Sequence, residues 1–261
     1  MAKEPPPVGP SATVDAFHRG RFHLVQPASK GHRSGIDAML LAGAVPTGFR
    51  GRAADFGAGA GAAGLAVATR CAEAHVTLVE RSAEMSGCAR ASLDLPENQH
   101  LAPRIELLKA DVALPGQERV RAGLSDRSFD FIIMNPPFNA VRDRATPDPL
   151  KREAHVMTEG LFEKWLRTAA AVARPGAEVA VIARPVSLPE LLAALGSRFG
   201  GAEVLPIHPR QRAEAIRIII RARQGSRAGL RLLDPLILHG SGRDFTERAE
   251  AVINGQVPLF R

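Results

Sequence analysis

Short apolar segments that end in turn-forming or acidic residues recur along the first half of this chain. They are Ala53–Phe56, His75–Glu80, Ile105–Asp111 and Phe129–Met134. Alanine- and leucine-rich segments of helical length separate them. Continuous apolar runs that alternate with helices are typical of parallel strands covered on both faces. The pattern therefore predicts an α/β fold built on a mainly parallel sheet.

The second half continues the alternation and then changes. The pattern predicts a helix at 158–173, a strand at 178–183, a helix at 188–199 and a strand at 204–207. The runs 215–223 and 230–239, joined through a turn at 224–226, suggest antiparallel strands that close the sheet edge. The predicted fold is a doubly wound, mainly parallel sheet with an antiparallel edge.

The N-terminus lacks an apolar core and is rich in proline. Residues 1–16 are expected to form a disordered arm. Residues 17–261 are expected to form a single domain, which begins with a small hairpin or strand at Phe17–Phe22. At this length, an α/β chain commonly forms one domain.

A glycine-rich loop follows the first predicted strand. Gly57, Gly59 and Gly61 precede an alanine-rich helix, and glycines let a ligand approach the backbone at a helix N-terminus. Gly59, Gly61 and Gly64 also fit the G-x-G-x-x-G spacing of dinucleotide-binding folds. At this point a nicotinamide dinucleotide remains an alternative ligand.

Three of the predicted strands end in an acidic residue, namely Asp55, Glu80 and Asp111. Asp55 would be poorly placed beside a pyrophosphate but can accept from an ammonium or an ordered water. Glu80 can accept from both hydroxyls of a ribose, and Asp111 suits an adenine amino group. Taken singly, Glu80 or Asp111 would be interpreted as an ordinary solvated loop carboxylate. Their repetition at strand ends favours S-adenosylmethionine as the cofactor over NAD.

Asn135, Pro136, Pro137 and Phe138 directly follow the strand Phe129–Met134. Asn-Pro-Pro is also a good turn sequence, but its place after this strand favours a catalytic role. The planar nitrogen of an exocyclic base amine or a carboxamide is a poor nucleophile, because its lone pair is drawn into a π-system. The Asn135 side-chain oxygen and the Pro136 carbonyl can accept both of its N–H protons, while Phe138 stacks on the flat substrate. The four residues predict a methyltransferase that acts on such a nitrogen without a metal.

These motifs together resemble the class I, Rossmann-like methyltransferases that methylate amino groups. Upstream, the segment 30–42 is similar to the K-x-G-T-D-x-x-L-L segment of the bacterial valine-tRNA adenine-N6 methyltransferase family. The resemblance covers roughly Phe22 to His239. It implies a seven-stranded methyltransferase sheet, Asp37 near the methionine end of the cofactor, and adenine N6 of tRNA as the target.

Two departures from that family concern Ser34, where the family usually has Thr or Val, and Phe138, where Tyr is commoner. Phe at the position of Phe138 also occurs in ribosomal-RNA guanine-N2 methyltransferases. A protein glutamine methyltransferase acting on a release factor is another alternative, although such enzymes carry a helical domain ahead of the cofactor strand, for which the segment before Ala53 leaves little room. A non-catalytic RNA-binding protein that keeps the fold is the alternative of a different class.

Composition and charge point to a cytoplasmic protein with a polyanionic partner. The chain has 45% hydrophobic residues but no apolar run near the roughly 18 residues of a transmembrane helix. Its two cysteines lack a C-x-x-C pattern, which indicates a reducing compartment and no metal site. The net charge of +7 and the pI near 10.3 suit RNA, although genomic bias toward arginine produces the same balance.

The basic residues form two clusters along the chain. One is Arg210, Arg212, Arg217, Arg221, Arg223, Arg227 and Arg231; the other is Arg142, Arg144, Lys151 and Arg152. The second cluster follows the catalytic motif, where a substrate must enter. Arg217 and Arg221 are expected on an ordinary solvated face, and Trp165 is expected in the core.

Overall fold

The computed structural model describes residues 12–28, 34–137, 139–140, 156–157 and 160–260. Several residues singled out above lie outside these ranges: Phe138, residues 30–33 of the upstream segment, most of the expected arm, and the basic cluster Arg142, Arg144, Lys151 and Arg152.

The strands are β1 Ala12–Phe17, β2 Phe22–Pro27, β3 Gly51–Phe56, β4 Ala74–Val79, β5 Ile105–Leu108, β6 Phe129–Met134, β7 Asn139–Ala140, β8 Val156–Met157, β9 Ala173–Ala183, β10 Phe199–Arg210, β11 Arg217–Gln224, β12 Arg231–Leu232 and β13 Leu236–His239. The helices are α1 Ile36–Ala42, α2 Ala62–Arg70, α3 Ala83–Asp94, α4 Gly116–Arg121, α5 Leu161–Val172, α6 Leu188–Leu195 and α7 Glu247–Ile253. Short 3₁₀ turns occur at Pro96–Asn98, Ala102–Arg104 and Pro185–Ser187. Within the described ranges, no helix is long and apolar enough to cross a membrane.

One large sheet organises the fold. Its order is β12-β10-β11-β9-β6-β3-β4-β5, and β13 pairs with β10 beside β12. Only β11 runs antiparallel to its neighbours in this sheet. The doubly wound, mainly parallel α/β fold is confirmed. The described part of the sheet has nine strands rather than seven, because β12 and β13 extend the edge.

Both faces of the sheet are buried, as the continuous apolar runs required. Along β6, Phe131 and Ile133 belong to a core cluster shared with α1, α2 and α3. Ile132 and Met134 belong to a second cluster shared with α5 and α6. Successive side chains of a strand point to opposite faces, so each strand contributes to both clusters. On β3, β4 and β6 the charged side chains therefore lie near the strand ends.

In the second half of the chain, the predicted strand directions and helix ends differ from those of the structure. Residues 230–239, expected to run antiparallel, pair in parallel with β10. Helix α6 ends at Leu195, before the expected boundary, because Gly196 takes a positive φ of 51° that a helix does not continue. Strand β10 then begins at Phe199.

Ion pairs tie the strands of the antiparallel edge together. Arg221 contacts Glu203 at 2.6 Å and Glu178 at 3.9 Å, and its guanidinium lies 4.4 Å over the ring of Phe260. Arg231 also contacts Glu203. Burial acts to raise the pKa of Glu203, but hydrogen bonds and charge from Arg221 and Arg231 outweigh it and lower the pKa. The expectation that Arg221 lies on a solvated face is wrong, because the C-terminal segment covers that face.

Strands β1 and β2 form an antiparallel ribbon ahead of the main sheet. Its first strand takes in residues 12–16, which the sequence analysis assigned to a disordered arm. The apolar signal is weak there because only β2 is well buried. The amides of His23 and Val25 donate to Asn98 Oδ1 and Ser92 Oγ, which fixes the ribbon to the helical layer.

His18 lies in the tight turn of this ribbon and is 3% exposed. Among the residues that the structure describes, neither ring nitrogen has a hydrogen-bond partner, and the ring packs edge-on against Phe22 at 5.3 Å. Burial, followed by the charges of Arg21 and Arg70, lowers its pKa from 6.5 to about 4. The ring is therefore neutral in the folded protein at neutral pH.

We expect His18 to make the fold acid-sensitive. Between about pH 6.5 and 4 the unfolded chain binds a proton that the folded chain does not, so this residue's contribution to stability falls as pH decreases. Relative to His18→Leu, the wild type should lose about 2 kcal/mol of unfolding free energy between pH 7 and pH 5. Urea unfolding at both pH values measures the change. His75→Gln, at an exposed histidine, is the control. If the difference in unfolding free energy between the wild type and His18→Leu is the same at both pH values, the prediction is contradicted.

Candidate active site

The parallel strands end at one edge of the sheet, and a cavity of about 400 Å³ opens there. The predicted site residues that line it are Asp55, Gly57, Gly59, Glu80, Asp111, Asn135 and Pro137. Residues from four strand ends thus meet in one place. The size is within the range typical of small-molecule sites, about 300–1,000 Å³.

Hydrogen bonds to the Val79 carbonyl hold the glycine loop against the neighbouring strand. The amides of Gly57 and Ala58 donate to the Val79 carbonyl at 2.9 and 3.1 Å. Gly57 has a φ of +70°, and a Cβ there would lie 2.5 Å from Trp165 Cη2. Gly61 takes a φ of +93° at the start of α2 and does not line the cavity. The loop requires Gly57 both for its conformation and for the approach of the indole.

Glu80 is the most firmly held carboxylate of the site. Its side chain accepts from the amide of Gly59 at 2.8 Å and from the amide of Ser82 at 2.7 Å, and the residue is 8% exposed. One oxygen is used in each bond, and a carboxylate oxygen has two lone pairs. Glu80 can therefore accept two further hydrogen bonds from a bound ligand.

Asp55 is more deeply buried, at 2% exposure. Its Oδ2 accepts from the Gly64 amide at 2.8 Å. Burial raises the pKa of Asp55 to about 7; the Gly64 hydrogen bond opposes the shift and the charge of Glu80 adds to it. A cation bound beside Asp55 would favour its ionised form.

Asp111 lies at the more exposed end of the cavity. Its Oδ1 accepts from the Ala113 amide at 2.8 Å, and its Oδ2 lies 3.4 Å from Arg81 Nη1. The loop carboxylate is thus oriented by its own backbone, in a cavity whose acidic members also include Glu84. The lining favours a ligand with positive charge.

Asn135 follows β6 and lines the cavity. Its Oδ1 is buried and has no hydrogen-bond partner within the described part of the chain. A buried polar atom without a partner is unfavourable by about 1–3 kcal/mol. Such an atom in a cavity wall is suited to accept a hydrogen bond from a ligand.

Asp37 does not line the cavity, although Ala38 of the same helix and Ser34, just before the helix, do. Its carboxylate accepts from Arg217 Nε at 2.8 Å, and the two side chains are 23% and 28% exposed. Arg217 is thus paired rather than on the solvated face expected of it. Pro136 follows Asn135 and is not among the lining residues.

Helix α5 contributes residues that sequence reasoning did not assign to the site. Leu161, Lys164 and Trp165 line the cavity, and α5 is anchored by Thr168 Oγ1, which donates to the Val112 carbonyl at 2.7 Å. Trp165 was expected in the core and is only partly buried. The spacing of Leu161, Trp165 and Thr168 on one helix face was the available signal.

Within the described ranges, no group of three or more His, Cys, Asp or Glu side chains is positioned to hold a metal ion.

A model of the methyltransferase small domain family matches residues 33–205, which include every strand end that lines the cavity. The chain belongs to this family. The match covers more than half of the sequence, and together with the fold it identifies an S-adenosylmethionine-dependent methyltransferase.

A predicted O-methyltransferase from Agrobacterium tumefaciens has a solved structure that is 46% identical, with a TM-score of 0.76, over 86% of this chain and 99% of that one. A T. thermophilus 16S rRNA N2 methyltransferase, solved with AdoMet and guanosine, is 23% identical with a TM-score of 0.54, over 85% of this chain and 53% of that chain. The release factor glutamine methyltransferase of Bordetella pertussis is 34% identical over 113 residues, 41% of this chain. The match spans 37% of that relative's length.

We expect cofactor affinity to depend on the ionisation of Asp55. The sequence predicts that Asp55 accepts from the ammonium of S-adenosylmethionine. An ammonium prefers a charged carboxylate, so below about pH 7 binding at Asp55 must first release a proton. Affinity should therefore fall roughly 20-fold from pH 7.5 to pH 5.5. Calorimetry across this range measures it, with Asp55→Asn as the control that keeps an acceptor for Gly64. An equal pH dependence in Asp55→Asn would show that another group is responsible.

Proposed function

We propose that this methyltransferase acts on an exocyclic amine of RNA, with adenine N6 in tRNA as the preferred target. The observation that carries the proposal is the buried, unpartnered Oδ1 of Asn135, in the wall of the cavity that also contains Asp55, Glu80 and Asp111. An amine of the substrate supplies the missing donor.

The chemistry of the motif favours a nitrogen that carries two hydrogens. Asn135 accepts one N–H, and the sequence motif assigns the other to the carbonyl of Pro136. With both hydrogens held, the amine is oriented with its lone pair free to attack. A hydroxyl has one hydrogen and leaves one of the two acceptors without a partner. Phe138 is assigned to stacking on the base from the sequence resemblance.

The cofactor is assigned to the carboxylate side of the cavity. Glu80 takes the ribose hydroxyls, Asp111 the adenine amino group, and Asp55 the ammonium, while Gly57, Gly59 and Gly61 leave three positions of the loop without a side chain. The sequence resemblance adds Asp37, near the methionine end. The bound cofactor supplies an electrophilic methyl group on a positively charged sulfur. The net anionic lining suits that charge and offers no comparable match to a pyrophosphate.

Three observations support RNA as the substrate. The net charge is +7, which favours a polyanion. The upstream segment resembles the valine-tRNA adenine-N6 family. The fold is also that of an rRNA N2 methyltransferase solved with guanosine, which keeps guanine N2 of rRNA as the alternative base.

A protein glutamine is the second candidate substrate, because the local identity to a release factor glutamine methyltransferase is 34% over 113 residues. A glutamine carboxamide is also a planar NH₂ group. Mass spectrometry separates the two. Nucleosides of tRNA and rRNA, and tryptic peptides of release factors, are compared between cells with and without the protein. Loss of one methylated nucleoside supports RNA; loss of methylglutamine alone overturns it.

The cofactor assignment predicts that Glu80→Ala weakens S-adenosylmethionine binding by about 2 kcal/mol or more, because a charged acceptor for the ribose hydroxyls is lost. Calorimetry with S-adenosylmethionine and NAD measures the preference. Glu84→Ala, at the same cavity, is the matched control for removal of a carboxylate. Tighter binding of NAD by the wild type overturns the assignment.

The role of Asn135 predicts that Asn135→Ala retains cofactor affinity while turnover falls by roughly 100-fold or more, the scale seen when one preorganised contact to a reacting group is removed. Asn135→Asp keeps an acceptor of similar size and should retain partial activity. Methyl transfer to unmodified tRNA at saturating cofactor is the assay, with melting temperatures as the control for folding. Near wild-type turnover by Asn135→Ala contradicts the mechanism.

A further inference from the structure

The sheet topology divides the arginine-rich C-terminal stretch into two groups with different surroundings. Arg221, Arg223 and Arg231 are ion-paired with Glu178 or Glu203 across the strands. Arg212 instead lies in the exposed connection between β10 and β11. Because β10 is parallel to the strands of the active site, this connection lies at the edge where the cavity opens.

Arg243 lies at the same edge, after β13. The register pairs Arg210 with His239, so the loop that follows β13 starts beside the end of β10. Arg210 Nη1 donates to the carbonyls of Gly240 and Gly242, both at 2.7 Å. Arg210 therefore fixes the loop that carries Arg243. Both Arg212 and Arg243 are exposed, and in the described part of the chain neither forms an ion pair.

Exposed apolar side chains accompany these arginines. Val186 is 78% exposed and Ile216 is 43% exposed. The register places Ile218 opposite Ala183. Ile216, two residues before Ile218, and Val186, three residues after Ala183, therefore lie at the same edge of the sheet. Phe245 is 37% exposed and stacks on His239 with a centroid distance of 4.7 Å.

We infer that Val186, Arg212, Ile216, Arg243 and Phe245 form a binding surface for the RNA substrate, here named the edge patch. Guanidinium groups for phosphates, together with an aromatic ring and apolar side chains for unstacked bases, are the composition with which proteins hold single-stranded nucleic acid. The inference rests on the proposed function, since RNA is the partner to which it commits.

The position of the edge patch suits an RNA loop whose target base enters the cavity. Four strand-to-strand steps separate β6, which carries Asn135, from β13. At about 4.8 Å per step, the edge patch extends about 20 Å from the cavity. Glu214 and Asp244 at this edge offset the charge of the two arginines, but within the described ranges neither carboxylate forms an ion pair with Arg212 or Arg243. Nucleotides flanking the target would therefore be held along the sheet edge.

The test compares two double variants with the same change in charge. Arg212→Glu/Arg243→Glu alters the edge patch. Arg127→Glu/Arg227→Glu alters exposed arginines at the opposite edge of the sheet. Binding to total tRNA from cells lacking the protein is measured over a range of salt concentrations. The edge-patch double should weaken binding at least tenfold and reduce the log–log salt slope by about 1.4, at about 0.7 per lost phosphate contact. The control double should bind within about twofold of wild type.

Phe245→Ala provides a second, independent readout. Loss of stacking should weaken tRNA binding several-fold and leave the salt slope unchanged, because no phosphate contact is removed. Calorimetry with S-adenosylmethionine should give wild-type affinity for every variant, which also shows that each is folded. Equal tRNA binding and equal salt slopes for the two double variants overturn the edge patch.

The outcomes separate this inference from the proposed function. If the wild-type protein methylates tRNA and the two double variants bind tRNA equally, the edge patch is contradicted and the proposed function stands. If the wild-type protein transfers no methyl group to any RNA, the proposed function is contradicted. A loss of tRNA affinity in the edge-patch double variant would then still support the edge patch as an RNA-binding surface.

Discussion

Burial of the sheet on both faces is the constraint on which the rest of this protein depends. A strand packed against helices above and below has no place for a charged side chain along its length, because an unpaired buried charge is strongly unfavourable. Asp55, Glu80, Asp111 and Asn135 stand at or just beyond strand ends for this reason. Since the strands that carry them are parallel, those ends meet, and one cavity collects the polar groups.

Within that cavity, backbone amides do much of the electrostatic work. Gly59 and Ser82 each donate to Glu80, and Gly64 donates to Asp55. These bonds orient the two carboxylates before any ligand arrives. They do not fully offset burial at Asp55, whose pKa is raised to about 7. The site therefore holds two nearby acids that backbone amides orient, of which Asp55 is the more deeply buried and is about half protonated near pH 7.

The sequence predicted those features that local pattern determines. Parallel strands, the glycine loop and the acidic strand ends are each encoded within a few consecutive residues, and they were found where expected. Features that depend on distant parts of the chain were not predicted. Trp165 reads as an ordinary core residue of its helix until Gly57 is placed beside it. Arg221 reads as a solvated residue until Phe260 covers it. The direction of residues 230–239 depends on which strand they join, and hydrophobic pattern does not encode that choice.

The contact between Trp165 and Gly57 has a mechanical consequence. The indole occupies the volume that any Cβ at position 57 would need, so the glycine loop after β3 and helix α5 pack closely at this point. Each is a rigid support for the other. A change that lets α5 tilt, even from the side of the helix far from the cavity, would shift the loop by a similar amount. Substitutions that loosen the packing of α5, in the second half of the chain, should therefore also impair ligand binding at the glycine loop, in the first half.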